Sequence, residues 1–256
     1  MISIIVVSLN TAKKFKKTVK SILKQSIKNY ELIIVDGGST DETKKYIHKY
    51  KKSFNKVISE SDKGIYDAMN KGIKNASREW IYFLNSGDIF FSNNTLKKII
   101  NILRKKKFFD AVIGHSYIQK GDIKYKSFRK KISNDSLCSS FSHQAAFVKT
   151  KLMKKELFNI KYKYAADFNF FLKIYKKNNK IEYTDDLISI NLSDGISDIN
   201  KVEVFREFRK ISLGYKDTIK KRFLYNLLII YFFLTKIIKK IMPYSFILFL
   251  TKIKNK

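Results

Sequence analysis

The sequence is poor in cysteine, proline and glycine. Its 256 residues contain one cysteine, one proline and nine glycines. A single cysteine, Cys138, excludes a disulfide framework within the chain and a zinc site built from several cysteines. The low proline and glycine content excludes collagen-like and proline-rich low-complexity chains. With 45% hydrophobic and 14% aromatic residues, a chain of this length can bury a sizeable core in one or two domains.

Acidic residues are also scarce. Asp and Glu number 22 against 53 Lys and Arg, which gives a formal net charge of +31. Such a charge is typical of proteins that bind nucleic acid, an anionic membrane or a phosphorylated substrate. The lysines are spread along the whole chain, whereas a compact nucleic-acid module concentrates them beside exposed aromatic residues. A genome rich in A and T would also encode many Lys residues, so the net charge alone does not identify a binding partner. Because the lysines are not concentrated in one module, we expect no nucleic-acid partner.

The C-terminal segment combines apolar runs with lysines. Two uncharged runs, 223–235 and 241–251, flank three lysines, and each is shorter than the roughly 18–20 residues of a bilayer-spanning helix. Such runs are typical of helices in the membrane interface, where each Lys near an anionic leaflet adds roughly 1 kcal/mol. Residues 199–256 carry 14 Lys and Arg against 3 Asp and Glu. We therefore expect residues 223–256 to bind an anionic membrane surface; the alternative is packing on the core or on a second subunit.

Buried strands and amphipathic helices alternate through the first half of the chain. The apolar residues 1–9 have no basic region before them and no cleavage site after them, so they do not resemble a signal peptide. They predict a strand at 2–8, and we expect a cytoplasmic protein. Asn10-Thr11 is expected to cap the next helix, and Ser39 with Glu42 forms a capping-box pattern. The alternation predicts an α/β fold with a mixed, mostly parallel sheet flanked by helices. Further strands are predicted over 30–35, 57–58, 80–84, 110–114 and 123–128, with later helices near 149–157 and 167–177.

Asn10, Asp36 and Asp88 each come just after a predicted strand. Ligands of open α/β sheets bind outside the carboxyl ends of the strands, so we expect these side chains at one edge of the sheet. The Asp36 carboxylate can accept a hydrogen bond from a nucleobase N–H, and Gly37 and Gly38 let the backbone approach a ligand closely. Asp88 suits a hard divalent cation that bridges phosphates. Each motif taken alone also fits an ordinary turn.

Three further segments carry candidate chemistry. Lys63 and Gly64 precede a predicted helix, which suits a phosphate or a sugar hydroxyl; the alternative is a capped helix with Asn70 facing solvent. Asp167 lies among aromatic residues, which should raise its pKa toward the range of a general base, although it also fits a helix N-cap. His143 belongs either to a site or to the core.

The order of these segments resembles glycosyltransferase family 2. The likeness rests on a strand ending in Asn10 and on residues 33–41, 62–72, 84–88, 143–144 and 166–167, and it covers roughly residues 1–200. It is greatest to the bacterial enzymes that build capsule, colanic-acid-like and lipopolysaccharide glycans. The family implies a GT-A fold, an inverting mechanism and a nucleotide-diphosphate sugar donor. Residues 1–115 would then form the nucleotide-sugar-binding half and 116–200 the acceptor half, followed by C-terminal helices over 201–256.

The resemblance also implies roles for individual residues. Asp167 would be the catalytic base, Asp88 would bind Mn²⁺ or Mg²⁺, and His143 and Gln144 would lie on the acceptor side. The donor would be bound by Ser8, Leu9, Asn10, Asp36, Gly38, Lys63, Gly64, Asn70, Asn85 and Ser86. The expected partners are a nucleotide-diphosphate sugar and a saccharide or lipid-linked saccharide acceptor, and the expected location is the inner face of the cell membrane.

The sequence departs from the family pattern at four positions. Ser8 occupies the position where the family usually has proline, and Gly37 the position of a second acid. Asn85 replaces an acid of the metal motif, and Ala166 replaces an acid that often precedes the catalytic base. Asp36 and Asp167 are retained. The metal motif therefore contains a single carboxylate, that of Asp88.

Hydrogen bonding orders the possible nucleotides. Uracil and thymine present an N3–H donor to the Asp36 carboxylate, whereas cytosine presents an acceptor that a carboxylate repels. We therefore expect UDP or dTDP first, GDP second and CMP last. Two alternatives stay open: a basic nucleic-acid- or membrane-binding protein without catalysis, and a sugar nucleotidyltransferase. The nucleotidyltransferase usually has a Gly-rich segment followed by Arg, which residues 37–38 do not resemble.

Overall fold

Parallel strands form the first half of the sheet. The computed structural model describes residues 1–127, 130–138, 141–193, 195 and 199–241. Strand β1 (Ile2–Ser8), with all seven residues buried, lies between β2 (Tyr30–Asp36) and β4 (Trp80–Phe83). Strand β3 (Lys56–Ser59) pairs with β2, and all these pairings are parallel. A strand covered on both faces reads as a continuous apolar run, which explains the sequence of β1.

Helices cover both faces of this sheet. Helices α1 (Ala12–Leu23), α2 (Thr43–Tyr50) and α4 (Thr95–Lys105) pack against Ile2, Ile4 and Val6. Helix α3 (Ile65–Asn75) packs on the opposite face against Ile5 and Val7. Successive side chains of a strand point to opposite faces, so β1 contributes to both hydrophobic cores.

The second half of the chain extends the sheet with antiparallel pairings. Its strands are β5 (Ile89–Phe90), β6 (Ala111–Lys120), β7 (Ile123–Lys126), β8 (Ala146–Lys149) and β9 (Ile181–Leu192). The order across the sheet is β3-β2-β1-β4-β8-β6-β9-β5, and β7 pairs with β6. Strand β8 is antiparallel to both β4 and β6, and β9 is parallel to β6. Helices α5 (Thr150–Lys155) and α6 (Ala166–Lys176) join the core on the α3 face.

Two further helices pack behind α6. Helix α7 (Lys201–Tyr215) buries Val204, Phe208 and Ile211 in the core on the α3 face, with the Phe208 ring centroid 5.0 Å from that of Phe168. Helix α8 (Ile219–Ile241) begins beside this core, where Tyr225 is fully buried. Within the described residues, no helix combines the length and apolar character needed to cross a bilayer.

The predicted α/β class, with strands alternating with helices in the first half, is confirmed. The sequence pattern does not predict β5, β8 and β9, and it ends β6 at residue 114. Strands β5 and β8 have only two and four residues, too few for a visible period. Strand β9 contains the adjacent acids Asp185 and Asp186, which interrupt its apolar pattern.

Two predicted helix caps are wrong. The Ser39 hydroxyl lies 2.5 Å from an Asp36 oxygen and accepts the Asn10 N–H, so it does not form a capping box with Glu42. The side chains of Asn10 and Thr11 do not cap α1; Asp41 does so from the next loop, accepting the Ala12 N–H at 3.2 Å. In both cases the loops after β1 and β2 bind each other, a contact that local sequence patterns do not contain.

The C-terminal helix differs from the predicted pair of short helices. Helix α8 is continuous through Lys236 to Ile241, because Lys is a good helix former and does not end a helix. The second predicted run, 241–251, lies outside the described residues apart from its first position, as does the rest of the segment to 256.

Two glycines in helices should respond oppositely to alanine. A Cβ at Gly72 of α3 would lie 2.5 Å from Ile5 Cγ2 of β1, whereas a Cβ at Gly214 of α7 would meet open space. We expect Gly72→Ala to lower the free energy of unfolding by about 1–2 kcal/mol, because overpacking outweighs the gain in helix propensity. Gly214→Ala should raise it by up to about 1 kcal/mol. Urea denaturation measures both, and a stabilised Gly72→Ala would contradict the close α3–β1 packing.

Candidate active site

A cleft of about 560 Å³ opens at the carboxyl ends of β1 and β4. Its lining comes from the end of β1, the turn between β4 and β5, the segment before β8, the start of α6, the end of β9 and helix α7. These elements are far apart in the sequence, and the sheet order brings their ends together. The cleft lies where open α/β sheets bind their ligands.

Most of the predicted site residues line this cleft, and five do not. Those in its wall are Ser8, Leu9, Gly64, Asn85, Ser86, Asp88, His143, Gln144 and Asp167. Those outside it are Asn10, Asp36, Gly38, Lys63 and Asn70. The cleft therefore brings together the predicted metal-binding acid, the predicted base and the two predicted acceptor-side residues.

Asp167 is held by three neighbouring groups. Its Oδ1 accepts the Phe168 N–H at 2.8 Å and lies 3.0 Å from the Tyr66 hydroxyl oxygen. Its Oδ2 lies 3.1 Å from His143 Nδ1. An ionised carboxylate can only accept, so His143 carries its proton on Nδ1. The other ring nitrogen, Nε2, lies 3.1 Å from Asn85 Nδ2.

The pKa of Asp167 contradicts the sequence-based expectation. Burial raises the pKa of this carboxyl, but the hydrogen bond and charge of His143, with the donors Phe168 N–H and Tyr66, hold it below the ordinary value. The aromatic neighbours Phe170 and Phe171 are in the core, whereas the carboxylate faces polar donors. Asp167 is therefore ionised at neutral pH and can accept a proton. Burial and the Asp167 charge raise the pKa of Tyr66 far above its ordinary value, so Tyr66 stays a phenol.

Asp88 is held by a second chain of side chains. Its Oδ2 accepts from Gln144 Nε2 at 2.8 Å, and its Oδ1 accepts the Leu192 N–H at 3.1 Å. Gln144 Oε1 in turn accepts from the Ser142 hydroxyl, which accepts from Asn191 Nδ2 at 2.8 Å. Residues 142–144 thus reach both acids: His143 binds Asp167, and its neighbour Gln144 binds Asp88.

The residues around Asp88 fit a cation that is shared with a substrate. The described part of the chain has no group of three or more His, Cys, Asp or Glu side chains that could enclose a metal ion. Each oxygen of a carboxylate has two lone pairs, so an oxygen that accepts one hydrogen bond can also bind a cation. Mg²⁺ is commonly bound by one or two carboxylates and completed by substrate phosphates and water. Asp88 can therefore contribute one ligand while a diphosphate supplies others.

Residues predicted to bind the donor but outside the cleft organise the loops around it. Asp36 is fully buried, and its Oδ2 accepts from the Ser39 N–H at 3.1 Å and the Ser59 hydroxyl at 2.8 Å. Asn70 clamps the backbone of Phe158, donating to its carbonyl at 2.8 Å and accepting its N–H at 3.0 Å.

The remaining three residues outside the cleft have different surroundings. The Asn10 amide oxygen accepts the Thr40 N–H at 2.8 Å, Gly38 has φ +86°, and Lys63 is exposed.

Asp62 lines the cleft and was not predicted from the sequence. A Cβ at Gly37 would lie 2.2 Å from Asp62 Oδ2, so the Asp62 carboxylate fills the space that a side chain at position 37 would need. Two sequence signals could have indicated this: the glycine at position 37, where the family usually has an acid, and the place of Asp62 at the start of the 62–72 segment.

Glu207 of α7 is a second residue that the sequence analysis missed. Its carboxylate accepts the N–H groups of Lys163, Tyr164 and Ala165 at 2.8, 2.8 and 2.9 Å. These residues lead directly into α6, whose second residue is Asp167. Glu207 therefore fixes the loop that carries the predicted base, although it lies in the segment that the sequence analysis assigns to the C-terminal helices.

The fold of this chain is a GT-A fold, which it shares with two solved structures. S. aureus TarS 1–349 in complex with UDP-GlcNAc superposes with a TM-score of 0.67 and 21% identity, over 89% of this chain and 70% of that one. The mannosyltransferase PcManGT from Pyrobaculum calidifontis, in complex with GDP-Man and Mn²⁺, superposes with a TM-score of 0.65 and 15% identity, over 85% and 64%. The chain spans 40% of the longer TarS structure. At these identities the likeness concerns the fold.

The chain belongs to glycosyltransferase family 2: the model of Glycosyl transferase family 2 matches residues 3–178. A PGL/p-HBAD biosynthesis glycosyltransferase of Mycobacterium bovis is 28% identical over 68% of this chain and 70% of its own. An uncharacterized glycosyltransferase of Mycobacterium tuberculosis is 31% identical over 67% and 68%. The predicted family and enzyme class are thereby confirmed in preference to a nucleotidyltransferase or a non-catalytic binding protein. The predicted closeness to capsule and lipopolysaccharide enzymes stays a prediction.

Removal of the Glu207 carboxylate should destabilise the protein. Glu207→Ala leaves three backbone N–H groups without their acceptor, and we expect a loss of about 2–4 kcal/mol, or roughly 4–16 °C in Tm. Glu203→Ala on the same helix is the matched control, because it removes only an exposed ion pair with Arg206 and should cost under about 1 kcal/mol. Thermal unfolding measures both; equal losses would contradict the role of Glu207.

Proposed function

We propose that this enzyme transfers a sugar, with inversion, from a nucleotide-diphosphate sugar to a hydroxyl of a cell-surface glycan or lipid-linked saccharide. The observation that carries the proposal is the pair of supported acids in one cleft: Asp167, ionised and held by His143, and Asp88, held by Gln144. One acid suits the attacking hydroxyl and the other the leaving diphosphate. Structural neighbours described in complex with UDP-GlcNAc and with GDP-Man support a sugar-nucleotide donor.

The donor would lie along the carboxyl ends of β1 and β4. Ser8, Asn85 and Ser86 offer polar groups there, and Lys14 adds a positive charge to the cleft wall. Asp36 is enclosed by its own loop, whereas Asp62 lines the cleft beside Leu9. The N3–H of uracil or thymine would therefore find its carboxylate acceptor at Asp62, which keeps UDP or dTDP as the first choice.

Asp88 would hold a Mn²⁺ or Mg²⁺ ion together with the donor phosphates, and the ion would supply Lewis-acid neutralisation of the leaving diphosphate. The structural neighbour PcManGT, described in complex with GDP-Man and Mn²⁺, supports this choice. Gln144 and the Leu192 N–H fix the orientation of the Asp88 carboxylate.

The chemical step would be a single in-line displacement. Asp167 takes the proton of the acceptor hydroxyl as the hydroxyl oxygen attacks the anomeric carbon of the sugar. The bond between the anomeric carbon and the diphosphate oxygen breaks, and its electron pair leaves with the diphosphate. The sugar passes through an oxocarbenium-like state. His143 and Tyr66 hold the Asp167 carboxylate in position during this transfer. No covalent intermediate forms, so the mechanism requires no Ser or Cys nucleophile.

Helix α8 supports binding to the inner face of the cell membrane. Residues 219–241 contain no acid, and their exposed apolar side chains form a broad stripe that includes Phe223, Leu227, Ile230 and Leu234. Basic residues flank the stripe at both ends of the helix. Apolar area combined with Lys and Arg favours an anionic leaflet. An enzyme bound there would meet a lipid-linked acceptor, which agrees with a role in capsule or lipopolysaccharide synthesis.

The two acids should separate donor binding from transfer. UDP with Mn²⁺, at 100 times its dissociation constant, should stabilise the wild type by ~2.7 kcal/mol, a shift of roughly 5–11 °C. Asp88→Ala should lose the metal-dependent part of this shift. Asp167→Asn should keep the shift but lose about 10²- to 10⁴-fold in nucleoside-diphosphate release from UDP-sugars. Thermal shift with UDP, dTDP, GDP and CMP, with and without Mn²⁺, and a release assay measure these effects.

Asp122→Asn, in the exposed turn between β6 and β7, is the matched control and should leave both readouts unchanged. Substantial transfer by Asp167→Asn would remove Asp167 as the base. A wild type that binds none of the four nucleotides would contradict the donor site.

The combined substitutions Phe223→Ser, Leu227→Ser, Ile230→Ser and Leu234→Ser should weaken binding to anionic vesicles. These side chains are 48–61% exposed, so their replacement removes buried apolar area at the membrane without disturbing the core. We expect the wild type to float with phosphatidylglycerol vesicles and the variant to bind more than 10-fold more weakly. Phe108→Ser, at a 74% exposed site elsewhere, is the control. If the wild type does not bind vesicles but forms a dimer, and the variant is monomeric, α8 would be assigned to a subunit interface.

A further inference from the structure

Three polar side chains in the cleft wall have buried atoms without a hydrogen-bond partner among the described residues. They are the amide oxygens of Asn85 and Asn191 and the hydroxyl of Ser86. Buried polar groups are nearly always paired in native proteins, so an unpaired one in a cleft indicates a ligand or a water that completes it. Asn85 and Ser86 belong to the predicted donor site, whereas Asn191, only 6% exposed, has no assigned role.

The orientation of the Asn191 amide follows from the charge of Asp88. The carboxylate can only accept, so Gln144 turns its amide nitrogen toward Asp88 and its oxygen toward Ser142. The Ser142 hydroxyl donates to that oxygen and accepts from Asn191 Nδ2. The Asn191 oxygen Oδ1 is therefore the last acceptor in this series of hydrogen bonds. It needs a hydrogen-bond donor that does not belong to the series.

The position of Asn191 indicates which group supplies this hydrogen-bond donor. The next residue, Leu192, gives its N–H to Asp88, and Ser142 and Gln144 link Asn191 to the same acid. Under the proposed function, the transferred sugar must lie between the diphosphate at Asp88 and the acceptor hydroxyl at Asp167. A sugar in that position presents hydroxyl groups, which are donors, toward the walls of the cleft.

We propose that Asn191 is a specificity residue whose Oδ1 accepts a hydrogen bond from a hydroxyl of the transferred sugar. This inference rests on the proposed function. A site built around a buried acceptor rejects a sugar that lacks the matching hydroxyl, because the acceptor is then left unpaired. The contact belongs to the sugar alone, so the nucleoside diphosphate should bind without it.

The test compares Asn191→Ala with Ser189→Ala. Ser189 is fully buried on the same face of β9, two residues before Asn191, and lies outside the cleft. Calorimetry with Mn²⁺ gives the Kd of UDP, GDP, UDP-glucose, UDP-galactose, UDP-N-acetylglucosamine and GDP-mannose. The probe is the sugar nucleotide that wild type binds most tightly relative to its nucleoside diphosphate.

In Asn191→Ala we expect the Kd of this probe to rise about 5- to 10-fold, the range of one hydrogen bond, while the Kd of the nucleoside diphosphate is unchanged. In Ser189→Ala both should be unchanged. If neither Kd changes in Asn191→Ala, the proposal is overturned and the amide is assigned to a bound water. An equal rise of both would overturn it and make Asn191 a support for Asp88 only. A wild type that binds no nucleotide would instead contradict the proposed function itself.

Discussion

The structure depends on one requirement: two carboxylates in the same cleft, Asp88 and Asp167, need hydrogen-bond donors. An ionised carboxylate only accepts, and burial without donors would drive it toward the neutral acid. The short turn at residues 142–144 meets this need on both sides, through His143 and Gln144. Strand β8 follows directly and pairs antiparallel with β4, and the Tyr82 hydroxyl of β4 donates to the Gln144 carbonyl at 2.8 Å. The insertion of β8 beside β4 therefore sets the distance between the two acids.

The parts of this arrangement that are local in sequence could be predicted. The continuous apolar run of β1 identifies a central strand, and Asp88 is recognisable because it follows another buried strand, β4. Each of these two signals is contained in a segment of about ten residues, and each reflects the burial of a strand on two faces. The resemblance of ordered motifs added Asp167 and the turn at 143–144, which composition and periodicity alone leave ambiguous.

The parts that could not be predicted depend on contacts between distant segments. Strand β9 forms against β6 despite its two adjacent acids, and only its final residues reach the cleft, so the role of Asn191 is not visible in its own sequence. The pKa of Asp167 was mispredicted for the same reason. Its aromatic sequence neighbours face the core, while the groups that determine its ionisation come from Tyr66 and His143, 101 and 24 residues away.

Helix α7 connects the predicted base to the exposed C-terminal helix. Glu207 binds the loop before Asp167, and Phe205, two residues earlier, stacks on Phe232 of α8 with ring centroids 4.7 Å apart. Lys221 and Tyr225 of α8 also donate hydrogen bonds to the backbone carbonyls of Asn134 and Leu137. A charged group that accepts three N–H groups at once tolerates little displacement, because each bond is directional. The position of α8 is therefore coupled through a single packed helix to the loop that carries the predicted base, so the exposed apolar stripe of α8 and the Asp167 carboxylate are linked by contiguous side-chain contacts.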